Sequence, residues 1–305
     1  MKNLPVWLSA LRLRTLPLAA ASIIVGAGIA VHHQVFDLSI FLLSLTTALL
    51  LQILSNLAND YGDALSGADD ENRVGPIRAM QTGLITAKAM KNAIIITIAL
   101  TLVSGLSLLL LALNDDLFSW LVFLGLGVLA IIAAITYTLG KLPYGYRALG
   151  DVAVFLFFGL LGVIGSFYLY ALSFDWLLVL PASSIGLLSA AVLNINNIRD
   201  IENDRKHNKT TLVVLLGRAA AFKYHLCLIS LAPLLAGYYL FNLESTQTWQ
   251  YLFLLAMSPL IKSCNALNSA IHENPSSGDQ FNEQLKNTAI GTFVFAMLFA
   301  LVLIT

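Results

Sequence analysis

The chain has 305 residues, of which 58% are hydrophobic and 11% charged, and its 17 basic side chains cancel its 17 acidic ones. Soluble domains carry about 25% charged residues, so this composition excludes an ordinary water-soluble globule. Zero net charge leaves no basic surface for nucleic acid. The apolar residues fall in blocks near the ~20 residues a helix needs to cross a bilayer, which predicts an all-α, polytopic membrane protein.

Nine apolar segments follow in chain order: Leu16–Val31, Leu38–Ala58, Ala93–Leu113, Leu117–Leu139, Val152–Leu172, Trp176–Leu193, Ala219–Leu240, Tyr251–Leu267 and Ala289–Ile304. Lys262 and Asn265 interrupt the eighth. The stretch Met1–Thr15 is basic, but no small-residue cleavage site follows a short apolar core, so Leu16 onward reads as a retained first span. Connections after the odd spans are short. Lys and Arg gather before the first span and after the second, fourth, sixth and eighth, which by the positive-inside rule places those ends and the N-terminus in the cytoplasm. Cys227 and Cys264 lie far apart with no C-x-x-C, so neither a disulfide framework nor a zinc site is expected.

The long inner loops carry the chemistry. Continuing the second span as a helix puts Asn56, Asp60 and Asp63 on one face, and the sixth does the same with Asn196, Asp200 and Asp204. Asn59 and Asn197 sit among them, and Asp69, Asp70, Arg73 and Arg78 follow the first set. An amide followed by two carboxylates one turn apart therefore occurs twice, four spans apart. This suggests one domain over 1–305 built from two four-helix halves, 1–139 and 152–272, plus a ninth helix.

Carboxylates at a helix C-terminus oppose the macrodipole and repel each other, so a solvated helix end is a poor explanation for them. Oxygen-only donors suit a hard divalent ion, and Mg2+ takes one or two carboxylates plus substrate phosphate. The loop after the fourth span offers Tyr137 and Lys141, expected on one helical face and able to donate to an anion. Tyr144 and Tyr146 are equally well read as an interfacial aromatic belt. With Arg78, Lys141, Arg199 and Lys209 nearby, the layout suits a diphosphate with a hydrocarbon tail. No P-loop pattern favours a soluble nucleotide.

These motifs resemble the intramembrane aromatic prenyltransferases of the UbiA superfamily over nearly the whole chain. Asn59-Asp60-Tyr-Gly-Asp63 looks like the first aspartate-rich motif, Asp200-Ile-Glu-Asn-Asp204 like the second, and Tyr137 to Lys141 like the tyrosine-to-lysine motif. Leu54–Asp63, Gly75-Pro-Ile-Arg78, Pro143-Tyr-Gly-Tyr146 and Lys209-Thr-Thr-Leu212 are closest to members that act on 1,4-dihydroxy-2-naphthoate. Where the family often has a third acid this chain has Gly67, which leaves Asp69 as a possible substitute, and Asn208 stands at the matching place of the second motif.

The resemblance implies Mg2+ held by Asp60, Asp63, Asp200 and Asp204. It implies diphosphate contacts from Asn56, Asn59, Arg73, Arg78, Asn196, Asn197 and Lys209, with Tyr137 and Lys141 at the reacting centre. It implies polyprenyl diphosphate and an aromatic acid as substrates, the bacterial inner membrane as location, and no obligatory protein partner. Two rivals are weighed against it: 4-hydroxybenzoate as acceptor, and an ion-coupled transporter. The transporter expects acids at mid-span, whereas these lie at span ends on one side. The CDP-alcohol transferase pattern D-G-x-x-A-R is absent.

Overall fold

A computed structural model describes residues 4–67, 78–81, 83–243, 247–273, 275 and 277–304. Asp69, Asp70 and Arg73 lie outside the described residues. A short helix, Leu4–Leu11, and a 3-10 turn lead into α1 (Leu16–His32), with Pro17 in its first turn where the missing N–H costs nothing. The long helices that follow are α2 (Leu38–Ser66), α3 (Ala87–Ala112), α4 (Leu117–Thr136), α5 (Gly150–Ala171), α6 (Trp176–Lys206) and α7 (Arg218–Phe241). Then come α8 (Met257–Glu273) and α9 (Gly278–Ile304).

Capping explains several of the starts. Asp37 accepts from Ser39 and Ile40 N–H groups, Thr86 from Ala89, and Asp116 from Ser119, each satisfying donors that a helix start leaves unpaired. Among the described residues, eight helices are long and apolar enough to cross a membrane. The expected eighth span differs. Thr248–Ala256 is 3-10 and passes into α8 at Met257, so the eighth segment is the interrupted one that Lys262 and Asn265 foreshadow.

Length positions the site. At 1.5 Å per residue, α2 with 29 residues and α6 with 31 run about 43 and 46 Å, well beyond a hydrocarbon core of about 30 Å. Their C-terminal turns, which hold the paired amides and carboxylates, therefore overhang the membrane. The chain folds on α1, whose Ala21, Val25 and Ile29 are fully buried among Val163, Ile185, Leu188, Phe295 and Phe299. By contrast α4 is peripheral, with Ser119 and Ala130 its buried residues.

Two sequence expectations change here. The fourth span ends at Thr136 rather than Leu139, and Gly140 follows in the left-handed region at φ 107°. Gly145 N–H closes the turn onto Tyr137 C=O at 3.0 Å. Tyr137 and Lys141 therefore do not share a helical face, because the register is broken between them.

The middle of α5, Phe155–Gly165, is π-helical and packs directly on α6. A Cβ at Gly159 would stand 2.7 Å from Ala182 O and 2.8 Å from Gly186 Cα, both backbone atoms that cannot yield. Small residues of this kind let membrane helices approach closely. Gly159→Val is expected to cost about 1–3 kcal/mol by overpacking, read as a lowered unfolding temperature in detergent. Gly125→Ala on α4, with nothing within 4 Å of its added Cβ, should not lower it. Equal responses would remove close approach as the explanation.

Candidate active site

The site forms where the overhanging ends of α2 and α6 meet the turn after α4. Asp60, Asp63, Asp200 and Asp204 are 2%, 3%, 5% and 3% exposed. Buried carboxylates demand partners, and each has a cation. Arg12 Nη2 lies 2.7 Å from Asp60 Oδ1, and Arg78 spans both α2 acids at 2.5 Å to Asp60 and 3.0 Å to Asp63. Arg12 stands in the left-handed region at φ 48°, a conformation costing roughly 1–2 kcal/mol. Asn56 anchors this turn by donating to Leu11 C=O at 2.9 Å and Thr15 Oγ1 at 3.2 Å. Asn59 Oδ1 accepts from Thr138 at 3.3 Å.

On α6, Arg199 forks onto Asp200, with Nε to Oδ1 at 2.8 Å and Nη2 to Oδ2 at 2.6 Å. The same guanidinium donates to Asn196 at 2.9 Å and, across to α9, to Asn282 at 2.6 Å. Lys209 Nζ lies 3.6 Å from Asp204 Oδ1. The other oxygen, Asp204 Oδ2, is buried with no hydrogen-bond partner.

The two loops that complete the site are tied together. Ala148 N–H donates to Thr210 C=O at 2.7 Å and Thr210 N–H to Tyr146 C=O at 3.2 Å. This places Tyr146 between the helices: its hydroxyl donates to Asp63 Oδ1 at 3.0 Å, and Lys209 Nζ sits 5.4 Å from its ring centroid. Burial pushes the Tyr146 phenol up to about 12, and neighbouring Asp63 pushes the same way, so it stays a neutral donor. Tyr137 is likewise raised to about 12 by burial, despite Lys209. Burial alone lowers Lys209, but Asp63 and Asp204 outweigh it and raise the ammonium above its usual range. A raised lysine keeps its contribution below the ordinary value near 10.4 and loses it only above, so Lys209 stays charged across neutral pH.

From this cluster a cavity of about 390 Å³ enters the bundle. Its polar end is lined by Asn59, Asp63, Arg78, Tyr137, Asn196 and Lys209, with Arg12 and Asn56 beside them. Its apolar walls are α4 and α5 residues such as Phe123, Ile131, Phe157 and Leu161. Along α2 it runs from Asp63 to Ser44, roughly 28 Å at the helical rise.

Asp60, Asp200 and Asp204 stand behind that surface, as does Arg199, whereas Arg12, Arg78 and Lys209 line it. Asn197 is buried and outside the lining, and Lys141 is exposed and outside it as well. Sequence reasoning counted Arg12 only as a positive charge and left Tyr146 between belt and site. It had no signal for Asn282. The available clue for Tyr146 was its place in the Pro143-Tyr-Gly-Tyr146 phrase that carries the resemblance.

Among the described residues no three His, Cys, Asp or Glu side chains converge on one point. The four acids therefore form two pairs, one per helix. The residues still fit a hard divalent cation: all donors are oxygens, and Asp204 Oδ2 is a buried acceptor without a partner. Such an ion would be held by one or two carboxylates, with phosphate oxygens completing its shell, as Mg2+ prefers.

Removing one partner of a buried ion pair costs about 3–5 kcal/mol. Arg199→Ala is expected to destabilise by that amount in chemical denaturation, and adding Asp200→Ala should recover much of the loss. Additive losses would show that the fork is not a coupled pair.

The UbiA prenyltransferase family model matches residues 19–276. The 1,4-dihydroxy-2-naphthoate octaprenyltransferase of Escherichia coli (strain K12) is 54% identical over 257 residues, 84% of this chain and 82% of that protein. The enzyme of the same name from Mycobacterium tuberculosis is 34% identical over 302 residues, 98% and 97% of the two chains. Among solved structures, a UbiA homolog from Aeropyrum pernix K1 superposes with a TM-score of 0.65 at 20% identity, over 93% of this chain and 96% of that one. A UbiA homolog from Archaeoglobus fulgidus bound to GPP and Mg2+ gives 0.58 at 18% identity, over 96% and 98%. By domain match, close relatives and fold, the chain belongs to the UbiA prenyltransferase family.

Proposed function

We propose that the protein transfers a polyprenyl group from polyprenyl diphosphate to 1,4-dihydroxy-2-naphthoate, releasing diphosphate and carbon dioxide. The observation that carries this is one cavity with two chemistries. Its mouth concentrates carboxylates, amides, Arg78 and Lys209, and its length is apolar wall. A diphosphate head and an isoprenoid tail fit both at once. The acceptor rests on relatives named as octaprenyltransferases of that arene, among them the Escherichia coli protein at 54% identity.

Ionising an allylic diphosphate breaks the C–O bond and leaves the electron pair on phosphate oxygen. Arg78 and Lys209 stand where that charge develops, and fixed charges there lower the barrier because they need no reorganisation. Tyr137 offers a neutral hydroxyl to the same space. Walls of α4 and α5 keep water from the allylic cation and hold it for the ring carbon that forms the new C–C bond. Mg2+, when bound, supplies charge neutralisation at the leaving diphosphate. It would be held by Asp63 and Asp60 from α2 and by Asp204 and Asp200 from α6, as two pairs, with Asn56, Asn59, Asn196 and Asn197 orienting them. The protein works in the bacterial cytoplasmic membrane with this mouth facing the cytoplasm, consistent with Lys and Arg clustering at that end.

The test is product formation by purified protein in detergent, from polyprenyl diphosphate and 1,4-dihydroxy-2-naphthoate, with and without Mg2+. Prenylated product and carbon dioxide should both require Mg2+. Asp63→Ala and Asp204→Ala should each lower kcat at least about 100-fold. Product from 4-hydroxybenzoate instead would overturn the acceptor and keep the chemistry. Full activity in both variants would move the metal elsewhere.

A further inference from the structure

Tyr146 touches α2 directly and reaches α6 through Lys209, and no sequence motif assigns it a task. Its hydroxyl donates to Asp63 of α2 and shares a contact with Ser66 Oγ at 3.1 Å. Its ring carries the Lys209 ammonium at 5.4 Å from the centroid, within the ~6 Å reach of a cation–π contact. Lys209 in turn faces Asp204 of α6. The backbone fixes this arrangement, because Tyr146 C=O accepts from Thr210 N–H, directly after Lys209. A belt aromatic at a lipid interface would present its hydroxyl to headgroups and water. This hydroxyl is turned onto a carboxylate that is 3% exposed.

We propose that Tyr146 is a positioning residue that joins the two halves of the diphosphate site, its hydroxyl fixing Asp63 and its ring fixing Lys209. The inference rests on the diphosphate–Mg2+ reading of the site and adds to it a division of labour within one side chain. With its Oδ1 held by Tyr146 and its Oδ2 by Arg78, Asp63 keeps one rotamer before any ligand arrives. Lys209 is likewise held by the Tyr146 π face, at 5.4 Å from the ring centroid, beside its ion pair with Asp204. An ammonium held that way keeps its donors available to phosphate oxygens. Preorganisation of this kind raises affinity by reducing what must be ordered on binding.

The two roles separate by substitution. Tyr146→Phe keeps the ring and removes the hydroxyl, whereas Tyr146→Leu removes both. The measurement is calorimetric binding of geranyl diphosphate to the full chain in detergent, without arene acceptor, over a Mg2+ series. In Tyr146→Phe the Mg2+ concentration for half-maximal binding should rise about tenfold, with affinity at saturating Mg2+ within about twofold of native. In Tyr146→Leu the affinity at saturating Mg2+ should also fall, by about tenfold. In turnover, KM for the arene should stay unchanged in both.

Phe and Leu variants that bind alike, or both like native, would overturn the proposal. Should Tyr146→Leu fail to fold, Tyr146→Trp replaces it: a retained π face should hold saturating affinity near native, and a tenfold loss would overturn the ring's role. If the native protein binds geranyl diphosphate without regard to Mg2+, the metal reading fails and the hydroxyl's role with it. The contrast between Phe and Leu still decides the ring's role in that case.

Discussion

Four carboxylates held almost out of water govern this end of the molecule, and the surrounding structure answers to their charge. Asp60, Asp63, Asp200 and Asp204 face Arg12, Arg78, Arg199 and Lys209, so four negative charges meet four positive ones. Buried ion pairs of this kind add little stability over apolar residues of similar volume. Their presence at such depth is therefore a property of the site and not of the scaffold. The pairing is uneven. Arg199 is committed to Asp200 by a two-point fork and to α9 through Asn282. Arg78 is shared by two acids, and Lys209 meets Asp204 at a looser 3.6 Å. The shared and looser cations line the cavity, whereas the committed one does not. A phosphate entering the mouth thus meets positive charge that can change partners without leaving a bare buried ion.

Helix length puts this cluster at the water's edge. Because α2 and α6 are longer than the hydrocarbon is thick, their last turns carry polar side chains at no lipid cost, and the same helices continue inward along the cavity opposite the apolar walls of α4 and α5. Asn56 precedes Asp60 by one turn and Asn196 precedes Asp200 by one turn, so each helix presents its amide on the membrane side of its acids. An amphiphile lying along the cavity meets carboxylates, then amides, then hydrocarbon in that order.

What was legible in the sequence was local. Asp60, Asp63, Asp200 and Asp204 follow from spacing along two helices that continue past the apolar blocks. Eight of the nine expected spans, which follow from composition, are present among the described residues as helices long and apolar enough to cross a membrane. Lys141 misled because its alignment with Tyr137 assumes helix through Gly140, where the chain turns left-handed at φ 107°. Arg12 was legible only as a charge, since its partner is 48 residues away, and Asn282 lies 83 residues from Arg199. Nothing periodic links such pairs. They are set by which helices pack together, and α1 as the central helix brings the N-terminal turn beside α2. Tyr146 was ambiguous for a different reason. Tyrosine suits a membrane interface and a charged site for the same amphipathic chemistry, and only the position of its neighbours separates the two.

The mouth and the wall are built from different parts of the fold, and this separates what each can tolerate. Charge balance at the mouth draws on the N-terminal turn, α2, α6, α9 and two loops, where a single substitution strands a buried ion. The apolar wall draws heavily on α4 and on α5. Of the α4 residues on the cavity, Ala130 is buried and Phe123 stacks on Tyr168, whereas Leu124, Gly127 and Val128 are exposed, so changes at those three disturb little packing elsewhere. On α5 the constraint runs the other way. Gly159 lies against the backbone of α6, and Gly162 lies against Ser22 of α1, so that wall cannot be reshaped at those positions without moving its neighbours. Changes that alter which tail fits are therefore physically cheapest on α4, where shape can vary while the carboxylates and their cations stay in place.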